Sequence, residues 1–155
     1  MIFGRRAVLA ILAATMLVGC GDSGGSTTGD TSRAISEDSD YVATVTVGRM
    51  TTFDFTIKDV GTADIPSLGI MFDDRDHFLD HYTVIKAGPC TVNKDLPGLD
   101  CGLLAQGKEL KFSMTAQPRN AGNFTFKYHI ANGGLYLNEA DGKGYTYSWT
   151  QTILS

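Results

Sequence analysis

Residues 73–81 read Asp-Asp-Arg-Asp-His-Phe-Leu-Asp-His and gather four carboxylates with two of the chain's three histidines. Carboxylate oxygen and imidazole nitrogen are both donors that zinc accepts. A local helical turn would bring His77 and His81, four positions apart, to one face with acidic neighbours, making Asp76, His77, Asp80 and His81 the candidate ligands. The established spacings are not met. Phe78 stands where the zinc-protease pattern needs Glu after the first His. Counted from Asp74, the sixth and twelfth positions of a calcium loop are Leu79 and Ile85 rather than Gly and Glu. In an extended chain, alternation sends His77 and His81 to the side of Asp73, while Asp74, Asp76 and Asp80 point the other way. The expectation is therefore a solvated acidic loop between two strands, with Arg75 lowering its repulsion, and neither a metal nor a cofactor.

Two further patterns invite a chemical reading. Gly21-Asp22-Ser23-Gly24-Gly25 is similar to the surroundings of the nucleophilic serine in trypsin-like proteases. That chemistry needs an oxyanion hole, a histidine and a buried aspartate, which in those enzymes precede the serine; here no folded sequence precedes Ser23. Residues 121–129 resemble the strand that carries the copper cysteine in cupredoxins, but Tyr128 replaces the thiolate and no downstream His or Met completes the ligand set. A cupredoxin-like domain on this pattern would be degenerate and without copper. His129 falls on the polar side of its strand and is expected to be exposed. No catalytic set survives inspection, so the chain is not expected to be an enzyme.

The start of the chain carries its own pattern: Arg5-Arg6, an apolar run over residues 7–18, then Gly19. This is the order of a secretory signal peptide, and the run is well short of the ~20 residues that span a bilayer as a helix. Leu17-Val18-Gly19-Cys20 resembles the lipobox of bacterial lipoproteins. The resemblance implies export, cleavage before Cys20, a diacylglyceryl group with palmitate-type chains on its thiol, and an extracytoplasmic protein anchored by lipid in the cell membrane or outer envelope. Cys90 and Cys101 then remain as the one pair in an oxidising compartment, where they are expected to form a disulfide. The net charge of −4, more negative without Arg5 and Arg6, disfavours nucleic acid as a partner.

Stepping along the chain, residues 20–39 are mostly Gly, Ser, Thr and Asp and read as a flexible tether, which leaves residues 40–155 as one domain. There the apolar pattern has period two: Tyr41, Ala43, Val45 and Val47; Phe53, Phe55 and Ile57; Leu68, Ile70 and Phe72; residues 82–86; Leu110, Phe112, Met114 and Ala116; Phe124, Phe126, Tyr128 and Ile130; Tyr145, Tyr147 and Trp149. The aromatics from 124 onward read as core. Residues 135–138 and 145–150, around Asp141-Gly142-Lys143-Gly144, read as a hairpin. Short alternating strands with no helical periodicity predict an all-β fold, a single antiparallel β-sandwich of seven to eight strands.

Residues 41–131 also resemble the bacterial surface modules with an immunoglobulin-like fold, of the cell-adhesion-related and conserved-repeat types. The resemblance rests on Cys90, on Cys101-Gly102-Leu103-Leu104-Ala105-Gln106-Gly107, and on Ala121-Gly122-Asn123-Phe124-Thr125-Phe126. It also includes residues 53–57 followed by Asp59-x-Gly61-Thr62-Ala63, similar to a first hairpin in which Asn is usual at position 59. It implies the immunoglobulin-like sandwich. The functional expectation is a non-catalytic envelope module that binds or spaces a protein or glycan partner, with metal binding through residues 73–81 as the alternative.

Overall fold

Alternation of apolar and polar side chains becomes strand wherever the apolar set can be buried on one face. The computed structural model describes residues 31–73, 77–93, 95, 97–137 and 144–155; Cys20, the leader and Asp76 lie outside them. The strands are β1 Ile35–Tyr41, β2 Thr44–Thr46, β3 Thr51–Asp59, β4 Ile65–Phe72, β5 Tyr82–Lys86, β6 Thr91–Asn93, β7 Gly98–Leu104, β8 Glu109–Pro118, β9 Gly122–Asn132, β10 Leu135–Tyr136 and β11 Thr146–Leu154, with a one-turn helix α1, Phe78–His81, before β5. Eight of these strands have five residues or more. One sheet has the order β1-β3-β8-β5; the other runs β2-β11-β9-β4-β7-β6, with β10 also on β9. All-β architecture is thus observed as expected. The pairings are antiparallel except β2 with β11, which is parallel.

Between the sheets lie Phe53, Phe55 and Ile57 of β3, Phe112, Met114 and Ala116 of β8, Ile70 and Phe72 of β4, Phe126, Tyr128 and Ile130 of β9, and Trp149 and Ile153 of β11, all buried. Phe124, Tyr145 and Tyr147 pack against this core partly buried. Each fully buried aromatic or aliphatic side chain contributes about 1.5–3 kcal/mol, so the inner face outweighs any surface contribution.

Three chain segments differ from expectation. The tether ends before Ile35 rather than at Ser39: residues 35–41 pair with β3 from Ile35 opposite Asp59 to Tyr41 opposite Phe53. The expected strand over residues 41–47 is split, because the chain leaves one sheet after Tyr41 and joins the other at Thr44. The buried Gln151 serves that crossing, since its amide accepts from the Tyr82 hydroxyl at 2.6 Å and donates to the Val42 carbonyl at 2.5 Å. In the described residues, the arms of the predicted final hairpin share the hydrogen bond from Tyr145 N–H to the Leu137 carbonyl at 3.1 Å, while their strands pair with β9. Gly133 and Gly134 both have positive φ, 58° and 83°, the requirement of a tight two-residue turn, so β10 folds back on β9 and β11 pairs with β9 farther along. The 59–64 turn, too, joins two sheets rather than a hairpin, with β3 and β4 on opposite sides of the core.

β1 buries little beyond Ile35, and its inward polar positions are held across the sandwich. The Tyr128 hydroxyl donates to Glu37 Oε1 and lies 3.1 Å from Ser39 Oγ. Burial raises the Glu37 carboxyl above its ordinary value of 4.5, against the lowering effect of the hydrogen bonds from Tyr128 and Ser39, with Asp38 adding to the rise. Because the folded carboxyl holds its proton more tightly than the unfolded one, its stabilising contribution is complete below the unfolded value and is lost as pH rises through the higher folded value. Urea unfolding at several pH values should therefore show stability falling as pH rises above about 4.5, and Glu37→Gln should flatten that slope. An unchanged slope would assign it to other groups.

Asp59, at the end of β3, is fully buried: Oδ1 accepts the Gly61 N–H at 2.8 Å while Oδ2 has no hydrogen-bond partner among the described residues. A buried carboxylate oxygen without a donor is costly, and a neutral amide of the same shape keeps the Gly61 acceptor. Asp59→Asn is expected to stabilise the fold by about 1 kcal/mol, read as an increased denaturation midpoint at neutral pH.

Candidate functional site

The acidic segment is described at residues 73 and 77–81. Its single helical turn points Phe78 into the core, where it is stacked between Phe72 and Tyr82 at ring centroid distances of 4.7 and 4.5 Å. The His81 ring lies 4.0 Å from that of Phe124, and its Nδ1 is 3.5 Å from Asn120 Nδ2. Arg119 donates to the carbonyls of Leu79 and Tyr82, a cation on the last carbonyls of the turn. Among the described residues no three His, Cys, Asp or Glu side chains gather as a metal would require, and Asp76 lies outside them. The segment is thus anchored through Phe78 rather than being the wholly solvated loop expected.

A surface groove lies on the outer face of the seven-stranded sheet. Cross-strand register aligns Tyr136, Ala131, Gly69, Asp100 and Thr91 in one row running across β10, β9, β4, β7 and β6. The neighbouring row holds Thr146, His129, Met71, Gly98 and Asn93. The middle of both rows is small: Gly69, Gly98 and Ala131 form the floor of a groove of about 70 Å³, with Ser67, Asn93 and Asp100 among its lining residues. Strands lie 4.7–4.9 Å apart, so Tyr136 and Asp100, three strand spacings apart, flank a floor roughly 14 Å wide.

Each side of the groove is held in place. On one, the Tyr136 ring, 49% exposed as a residue, stacks on His129 with centroids 4.4 Å apart and planes 18° apart, and His129 Nδ1 is 2.9 Å from Thr146 Oγ1. His129 is therefore half-buried beneath a tyrosine rather than simply exposed. On the other, Asp100 Oδ1 accepts the Gly102 N–H at 3.0 Å. The adjacent Cys101 is bonded to Cys90, closing the β6–β7 hairpin as the pair of cysteines led one to expect. Sequence reasoning missed this site, because its members are scattered from 67 to 136 and meet only through strand register; the Gly133-Gly134 pair was the one local signal.

A second depression, about 410 Å³, lies where β1 passes to β2, with exposed Val42 and Met50 among its lining residues. It is wider and is lined by threonines and valines with Arg49 and Met50.

No family model matches the chain, and no curated protein matches it. Solved structures similar to it include the CARDB domain of a Pyrococcus furiosus protein in complex with di-metal ions, 10% identical over 79% of this chain and 89% of that one, with a TM-score of 0.51. A solution structure of that domain gives 13% identity over 77% of this chain and 94% of that one, with a TM-score of 0.50. A cohesin module from a Clostridium perfringens family 33 glycoside hydrolase is 12% identical, over 79% and 98%, with a TM-score of 0.49. At such identities the likeness concerns the fold, and in fold this chain is an immunoglobulin-like β-sandwich of the kind seen in the CARDB domain.

Proposed function

We propose that this chain is a non-catalytic binding module of the bacterial cell envelope, held at a membrane through lipid on Cys20. The anchor rests on Leu17-Val18-Gly19-Cys20. The observation that carries the binding role is the groove: a floor of small residues whose Ala131 is paired across strands with the half-exposed Tyr136, and whose far side is stapled by a disulfide. A domain that only spaced two partners would have no need of a stiffened depression on one face. Recognition surfaces, by contrast, combine a preorganised concavity, an aromatic and a few placed polar groups.

Two measurements test this. Mass spectrometry of the protein from membranes should show a diacylglyceryl adduct on a chain beginning at Cys20; a soluble, unmodified product removes the anchor. A photo-crosslinking residue at Ser67, beside the groove, should capture a component of native envelopes, whereas the same residue at Lys58, exposed on the other sheet, should not. Equal capture at both positions, or none, removes the binding role from this face.

A further inference from the structure

We propose that the partner is a glycan, bound across the strands from Tyr136 over Gly69 to Asp100; this rests on the binding-module reading above and names the ligand class of that groove. The argument begins with Gly69. Glycine inside a strand weakens it and commonly marks a bulge or a place where a ligand comes close. A register shift does occur between Leu68 and Gly69, yet Gly69 is not among the glycines with positive φ. A Cβ there would meet only the Leu99 carbonyl oxygen at 3.4 Å and the Ala131 Cβ at 3.8 Å. The backbone would thus accept a Cβ at 69 in ordinary contact, and its absence keeps the groove floor low.

What lies on either side of that floor selects the ligand. The Tyr136 ring is backed on one face by His129, which fixes its plane. Aromatic faces carry negative potential that attracts the polarised C–H groups on the flat side of a pyranose. At the far side, Asp100 uses one carboxylate oxygen on Gly102 N–H, and a carboxylate's remaining lone pairs suit the paired hydroxyls of a sugar ring. The same outer face continues over β9 and β11 as hydroxyls and amides tied across strands, Thr125 to Thr150 at 3.0 Å and Thr152 to Asn123 at 2.8 Å. Such a face exchanges hydrogen bonds with a hydroxyl-rich chain, while the net charge of −4 repels anionic polymers. The ligand that fits is an uncharged glycan of more than one pyranose ring.

Titration calorimetry on the full chain in detergent, with the hexasaccharides of β-1,4-linked glucose and β-1,4-linked N-acetylglucosamine as probes, tests the proposal. Binding of at least one probe is expected, with Kd raised about tenfold or more by Tyr136→Ala and by Gly69→Val and unchanged by Met50→Ala in the other depression. Because valine favours strands, thermal melting of Gly69→Val should match or exceed that of the parent, separating a filled groove from a damaged fold. Binding that survives both groove variants, or no binding of any probe, overturns the proposal. If no probe binds while the Ser67 photo-crosslink captures a protein, the glycan inference falls and the binding module stands; if both fail, both fall.

Discussion

Phe78→Ala is expected to cost about 3–5 kcal/mol, the range for emptying a buried phenylalanine site. Phe78 is fully buried and touches more rings than any neighbouring segment would suggest: it stacks on Phe72 and Tyr82 and meets Phe53, Phe126 and Trp149 at centroid distances of 5.3, 5.4 and 5.8 Å. These rings come from β3, β4, β5, β9 and β11, so both sheets lose a contact at once. Collapse of the site is resisted by Arg119, which ties the carbonyls of Leu79 and Tyr82 in place, and a cavity that cannot collapse is the costly kind. Against a total stability of about 5–15 kcal/mol for a domain, the loss would be plain in a denaturant midpoint. His77→Ala/His81→Ala should cost much less, since the His81 ring lies on Phe124 at the surface of the cluster. A cost for Phe78→Ala below that of the histidine pair would mean that the turn does not seat its ring in the core.

Cys90→Ser/Cys101→Ser is expected to lower stability by about 3 kcal/mol. The bridge joins residues 11 apart, and closing a loop of that length removes about this much free energy from the unfolded chain on the loop-entropy view. The folded state is also affected locally, because β6 is a three-residue strand that, among the described residues, pairs with β7 alone. Unfolding of the oxidised parent, the reduced parent and the double serine variant should place the last two together, and hydrogen exchange should show the gain in opening concentrated in β6 and β7. Coincident midpoints for all three would show that the hairpin is held without its bridge.

How much of this was legible in the residues depends on where each strand's neighbours come from. Residues 124–130 and 110–116 alternate cleanly because each has one face on an apolar core, so β9 and β8 could be read directly. β1 could not: its inward positions after Ile35 include Glu37 and Ser39, which are satisfied by a hydroxyl 91 and 89 positions away. Nothing local distinguishes that polar strand from a tether. Residues 73–81 misled for the opposite reason, since eight polar or modest neighbours mask one phenylalanine whose burial depends on rings from five strands.

Local chemistry alone settled that the chain is all-β, which residues face inward along its longer strands, and that Cys90 and Cys101 make a pair, because side-chain alternation and thiol oxidation need no knowledge of distant partners. The expectation of lipid on Cys20 rests on the same kind of linear pattern. Tertiary structure decided which strands share a sheet, where the chain crosses between sheets, and that Tyr136, Ala131, Gly69 and Asp100 stand in one row. Those are facts of register, set by backbone pairing between residues far apart in the chain, and a groove made of glycines acquires its shape only when neighbouring strands raise walls around it.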